Sequence, residues 1–240
     1  MGITIGGTGE VRGELREMRL FPRVPRRRGT DPVGTAVAEY TALRGWDVVP
    51  GVRARYRAGR AECSCARAAC PAPGAHPLST DPAAGLTIPA GTPLPEALTR
   101  WSRTPGASLL LPAGRFFEVL DAPGAAGRAA LDRLERLGLS TGPVVSAPGG
   151  RLWFLVAPGI TAEHPTDALR TGDGWRLPDA DLRAVGRGGY VTAPPSDHAG
   201  RGPVRWLRDP GPDTGPDPTG GRMLLRALTH LCRRGGPPRG

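Results

Sequence analysis

Three groups of residues in this sequence have the types and spacing for chemistry. The first is Cys63-Ser64-Cys65, then Cys70, then His76, a C-x-C-x4-C-x5-H pattern. Three thiolates and one imidazole make a tetrahedral zinc set of the Cys3His type. The surrounding segment is loop-like, so a zinc ion there would supply a core that the side chains do not. A metal-free group of exposed thiols is the competing reading. The second group is Gly149-Gly150-Arg151, where a Gly-rich turn offers backbone amides and a guanidinium to a phosphate. A plain hairpin turn accounts for the same residues. The third is Ser196-Asp197-His198, a hydroxyl near an imidazole. Adjacent positions do not ordinarily place three side chains in a relay, and no activating context accompanies them.

The elements that must position these residues follow from apolar spacing. Asp31-Pro32 suits a helix start. Val33, Ala36, Val37, Tyr40 and Leu43 then share a face up to Gly45, a helix stop. Trp46 to Pro50 reads as a strand. Residues 59–95 read as loop and Pro95 to Arg103 as a short helix. Ala107–Leu111 and Phe116–Leu120 read as strands. Gly124 to Gly138 is the clearest helix, with Ala126, Ala130, Leu131, Leu134 and Leu137 on one face. Residues 143–147 and 152–157 flank Pro148-Gly149-Gly150-Arg151 as a β-hairpin. Tyr190 to Ala193 is a strand, and Met223 to Arg234 a basic helix carrying four leucines and Cys232, a buried thiol far from the other three. Helices and strands together predict an α+β domain with a mixed sheet flanked by helices.

Charge and composition bound the rest. Gly (36) and Pro (28) make up about a quarter of the 240 residues, and Lys, Asn and Gln are absent. That pattern reports a GC-rich coding sequence before it reports disorder. The net charge is +10, but residues 1–30 carry seven Arg against three Glu, and residues 221–240 carry five Arg and no acid. The body between them is nearly neutral at +1. The basic ends are therefore the candidates for contact with a nucleic-acid backbone, or are solvated tails. The expected organisation is a flexible basic arm over 1–30 (with Met18 a possible alternative start), a main domain over 31–208 with a Cys-rich loop at 59–80, a linker over 209–220, and a basic helix and tail over 221–240. No apolar run reaches the roughly 20 residues of a membrane span, and residues 1–20 lack an apolar leader. The expected location is cytoplasmic, with thiols in place of disulfides.

The string Ala38 to Pro50 (AEYTALRGWDVVP) begins a longer pattern. It continues through Cys63-Ser64-Cys65, Cys70 and Gly74-Ala75-His76-Pro77, then Trp101 with Pro105-Gly106-Ala107, and Leu120-Asp121. Pro148-Gly149-Gly150-Arg151-Leu152-Trp153-Phe154 follows, and Gly188-Gly189-Tyr190-Val191-Thr192-Ala193-Pro194-Pro195-Ser196 with Arg205-Trp206 completes it. Together these resemble the bifunctional DNA primase/polymerase (prim-pol) N-terminal domain of the archaeo-eukaryotic primase superfamily, over about residues 31–208. The resemblance implies nucleotidyl transfer with two Mg or Mn ions held by a D-x-D pair on one strand, by a later third acid, and a histidine that binds the incoming triphosphate. It also implies a nucleotide pocket beside Ser196 and His198, which could hydrogen-bond phosphate.

The sequence departs from that pattern at the reacting positions. Asp121 matches the first carboxylate, but Pro123 stands at the second. Glu118 is three residues from Asp121 and belongs to the other side of a strand. The family histidine falls on Leu152, and the lysine of the family's Gly-Lys-x-Pro-like loop falls on Ala75. Asp181 is the candidate third acid, with extra residues between it and Gly188-Gly189. The fold is therefore expected to persist and the polymerase chemistry to be lost. Three functions stay open: a nucleic-acid- or nucleotide-binding protein on this fold, an active primase/polymerase with Mg or Mn and other ligands, and a regulatory protein-interaction module. The partners expected are DNA or nucleotide, no membrane, and a separate helicase or replication protein for an active version. Trp101, Trp153, Trp175 and Trp206 could stack on bases, although isolated Trp in alternating strands ordinarily belongs to the core.

Overall fold

Asp31 begins the described chain as a helix cap. Its Oδ1 accepts the Val33 N–H at 3.1 Å, and Pro32 opens α1 (Pro32–Ala38). A computed structural model describes residues 31–67, 69–211 and 216–235. The expected arm over 1–30 and the tail beyond 235 lie outside the described residues. The first helix does not run evenly to Gly45: Glu39–Leu43 is a π-helical turn, which the regular 3/4 spacing does not reveal. The turn leaves Tyr40 and Thr41 buried and Leu43 exposed.

The chain then forms β1 (Val49–Gly51), a ribbon of β2 (Ala54–Arg57) and β3 (Arg60–Cys63), and α2 (Leu94–Trp101). Next come β4 (Ser108–Pro112), β5 (Glu118–Pro123), α3 (Gly124–Arg136), β6 (Val144–Ala147) and β7 (Arg151–Val156). The second half adds β8 (Leu169–Thr171), β9 (Gly174–Leu177), β10 (Leu182–Val185), β11 (Tyr190–Thr192), β12 (Arg205–Arg208) and α4 (Pro218–Gly235). One sheet has seven strands in the order β12-β6-β7-β5-β10-β9-β8, a second has the order β1-β4-β11, and β2-β3 stands as a ribbon. The architecture is α+β, and the described strands pair antiparallel throughout rather than in mixed directions.

The period-two alternation of β5 and β7 divides the interior into two cores. Leu120, Ala122, Leu152, Phe154 and Val156 turn to one face, where Ala130, Leu131 and Leu134 of α3 and Leu224, Leu225 and Leu228 of α4 cover them. Val119, Trp153 and Leu155 turn to the other face, against Leu109 and Leu111 of β4, Val37 and Tyr40 near α1, and Trp101 of α2. Helix α4 is thus part of the domain core. Leu224 and Leu228 are fully buried, and each such side chain contributes about 1.5–3 kcal/mol. The helix begins at Pro218, inside the segment read as linker over 209–220. Asp217 explains the early start: its carboxylate accepts the Thr219 and Gly220 N–H groups at 3.0 and 2.8 Å. No described helix is long and apolar enough to cross a membrane.

Candidate functional site

Asp121 lies at the middle of the seven-stranded sheet, paired with Trp153 on β7 and Arg183 on β10. Pro123, two residues on, shares its face and pairs with Arg151. That register places the Arg151 guanidinium over the carboxylate. Its Nε donates to Asp121 Oδ1 at 2.7 Å. Nη1 donates to Asp181 Oδ2, and Nη2 donates to the Asp121 and Asp181 carbonyls at 3.1 and 2.9 Å. Asp181 reaches the group from a left-handed turn (φ 46°) ahead of β10. The Asp121 and Arg151 side chains are only 16% and 17% exposed, whereas Asp181 is 56% exposed. Burial pushes the Asp121 carboxyl above its usual range, and the Arg151 charge pulls it partway back. Burial also works against the Arg151 charge, but Asp121 and Asp181 more than offset it and raise the guanidinium pKa.

The two expected remnant acids therefore converge, but onto a guanidinium. A divalent ion such as Mg²⁺ needs oxygen ligands around it. Here the inward carboxylate oxygens receive N–H donors, and Pro123 offers no ligand. Glu118 sits on the opposite face, buried, with its Oε2 accepting the Thr161 N–H at 2.7 Å. Leu152 also faces away from Asp121, into the core under α3. The residues present do not fit a pair of divalent ions.

The expected phosphate ligands are placed as follows. Gly149 and Gly150 form the β6–β7 turn, and the Gly150 carbonyl accepts the Gly124 N–H at 2.7 Å at the start of α3. Arg151 is held by the carboxylates. Ser196 is buried and its Oγ accepts the Leu109 N–H at 2.8 Å, which hooks the 194–198 loop to β4. His198 packs edge-on against Trp153 with centroids 4.8 Å apart, and its Nδ1 lies 3.0 Å from Thr192 Oγ1. Burial lowers the His198 pKa, so the imidazole is neutral near pH 7. Because Trp153 is the strand partner of Asp121, His198 and Asp121 flank the same ring. Trp101, Trp153 and Trp175 are buried, so their rings belong to the core.

Spacing marks Tyr40 only as an apolar position of the first helix, yet its hydroxyl ties the site together. Its hydroxyl donates to the Pro194 carbonyl at 2.8 Å and accepts the Trp206 indole N–H at 3.1 Å. Its ring stacks on Trp46 at 5.8 Å, and burial pushes its pKa far up. Tyr40, Pro194 and Trp206 each fall in a separate string of the family resemblance, which carries no statement that they touch.

The cysteine group assembles at the end of the β2–β3 ribbon. The ligand atoms of Cys63, Cys65, Cys70 and His76 all lie within 4.8 Å of one another. Cys63 Sγ is 3.5 Å from His76 Nε2. His76 Nδ1 lies 2.9 Å from the Pro77 carbonyl. A carbonyl only accepts, so Nδ1 carries the proton and Nε2 presents its lone pair to the thiols, the usual outer support of a ligating histidine. The Arg67 backbone N–H draws the Cys65 thiol down to about 6, while burial pushes Cys70 up to about 11. These donors fit a four-coordinate metal ion, and the closed set leaves no open position for a reaction.

An antiparallel sheet carries an acid on its central strand, and the core on that side of the sheet is shared with α1, α2 and a second sheet in which β4 lies between β1 and β11. This arrangement defines an α+β domain whose candidate site lies on the seven-stranded sheet, on β5, β7 and the turn ahead of β10. The family model for the bifunctional DNA primase/polymerase N-terminal domain matches residues 38–220, and the chain belongs to this family. No curated protein matches it.

Proposed function

We propose that this protein keeps the primase/polymerase fold as a nucleic-acid- or nucleotide-binding scaffold and has lost nucleotidyl transfer. One observation carries the reading: the Arg151 guanidinium lies between Asp121 and Asp181, where the family's chemistry calls for metal ions. A resident cation neutralises the two carboxylates without supplying the Lewis acidity or the bridging geometry of a two-metal site. Pro123 and Leu152, at the positions of the second acid and the histidine, support the same conclusion. The Cys3His group is read as a structural zinc site that fixes the ribbon, because sulfur and imidazole donors in a closed tetrahedral set suit that ion. The test is template-directed primer extension and primer synthesis by the full chain with Mg²⁺ or Mn²⁺. The expected result is no product above background. Robust synthesis that disappears with Asp121→Ala would overturn the reading.

A further inference from the structure

The body of the chain is nearly neutral overall, but its charge is not evenly spread. Residues 53–60 contain Arg53, Arg55, Arg57 and Arg60 and no acid. Alternation along a strand puts Arg53, Arg55 and Arg57 on one face of the ribbon. The Arg53 N–H donates to Ser64 Oγ at 3.0 Å and the Ser64 N–H to the Arg53 carbonyl at 2.8 Å, so the ladder extends one residue past β2. Directly paired residues share a face, and the register pairs Arg57 with Arg60 and Arg55 with Glu62. One ribbon face therefore carries four arginines and a single glutamate.

Two like charges directly opposite each other destabilise a ribbon. Nothing in the described structure relieves them, since none of these four arginines takes part in an ion pair among the described residues. The other face is already occupied. Gly200 approaches so closely that a Cβ there would lie 2.4 Å from Tyr56 N, and the Arg201 guanidinium covers the Tyr56 ring at 4.6 Å. The arginine face is thus held outward by a ribbon fixed at its Cys63 end by the Cys3His group and across Arg55 and Tyr56 by the 199–201 loop. Arg53 and Arg55 also line a cleft of about 550 Å³ that runs between the ribbon and the 195–197 loop. Its size suits a nucleotide unit and is too small to admit a duplex.

We propose that this arginine face binds the phosphate backbone of single-stranded nucleic acid. The proposal rests on the binding half of the function above and names its site. The probe is a labelled oligo-deoxythymidine, followed by fluorescence anisotropy across a salt series with the full chain. On a single strand each phosphate contact contributes about 0.7 to the slope of log K against log salt. The triple variant R55S/R57S/R60S should therefore lower the slope by about 2. At about 0.1 M salt each contact is worth about fivefold relative to about 1 M, so the variant should bind about 100-fold more weakly. The corresponding triple Arg→Lys variant should keep the slope, which separates lost charge from lost fold. If the wild-type chain fails to bind the oligonucleotide at low salt, the binding reading falls and this proposal with it. If the wild type binds and the serine variant matches its affinity and slope, only the site assignment is refuted. If a duplex of the same length binds more tightly with the same dependence on these arginines, the assignment to a single strand is refuted.

Discussion

Replacing Arg151 by alanine would remove the cation that holds Asp121 and Asp181 together, and the structure sets the size of the effect. Asp121 is 16% exposed and loses its one charged hydrogen-bond donor among the described residues, whereas Asp181 is 56% exposed and returns to water. Removing one partner of a buried pair costs about 3–5 kcal/mol, because the other charge stays desolvated. Protonation limits that loss. Neutralising a carboxyl of ordinary pKa at pH 7 costs about 1.4 kcal/mol per unit over about three units, or about 4 kcal/mol, and less for Asp121, whose carboxyl burial already raises in the wild-type fold. The expected destabilisation of Arg151→Ala is therefore about 2–3 kcal/mol at pH 7. Stranded Asp121 has a folded-state pKa above its unfolded value, so the folded state binds more protons and the variant loses stability as pH rises through that window. The deficit against wild type should shrink by more than half between pH 7 and pH 5. Removing both partners, Arg151→Ala with Asp121→Ala, should cost less than Arg151→Ala alone. Urea unfolding followed by circular dichroism at both pH values reads all three quantities. A loss below about 1 kcal/mol at pH 7, the range of an exposed ion pair, would refute the buried-pair reasoning. So would a loss that is the same at pH 5.

Two further outcomes follow from the rest of the site. Purified protein should carry about one zinc per chain by elemental analysis. Cys65→Ser should lose it and expose the 59–80 segment to protease, and a metal-free wild-type chain with that segment still protected would contradict the assignment. His198 is neutral in the fold because burial lowers its pKa, so its contribution is present above the ordinary value of about 6.5 and is lost as pH falls through the folded value. Stability should decline from pH 7 toward pH 5, and His198→Gln should make that decline shallower. Identical pH profiles by urea unfolding would remove His198 from the account.

Long periodic elements could be read from the sequence, and short or compensated ones could not. Helix α3 shows its buried face in Ala130, Leu131 and Leu134, and the β6–β7 hairpin shows its turn in Gly149-Gly150. Strands β8 to β10 were missed because each has three or four residues and Gly and Asp separate them. The alternation Trp175-Arg176-Leu177 and Leu182-Arg183-Ala184 was nevertheless present, buried at the ends and exposed in the middle. The β2–β3 ribbon escaped notice for a different reason, β3 lying inside the 59–95 segment read as loop and β2 just ahead of it with no reading. Its turn is Ala58-Gly59, with Ala58 at φ 45°, where hairpins ordinarily place Asn or Asp. Its strands also have no β-branched residue to mark them.

The site was legible as a list of residues but not as an arrangement, and the difference changes the chemistry inferred. Asp121, Asp181 and Arg151 were all identified, yet in separate roles, two as remnant metal ligands and one as a phosphate ligand. Spacing along the chain places Asp121 and Pro123 on one side of a strand. It does not say that residue 151 pairs with residue 123, because register across strands depends on the turn and on the two cores the sheet must satisfy. Once that register is fixed, Arg151 projects beside Pro123, and the nearest negative charge is Asp121. A carboxylate at 123 would compete for the same guanidinium and bring a third negative charge to a group now balanced by Arg151 and Arg183. A proline at 123 and the engagement of Arg151 are therefore consistent with one local charge balance. Placing Asp at 123 alone would add a carboxylate to an arginine-bridged group, and a divalent-ion site there also requires the guanidinium to leave.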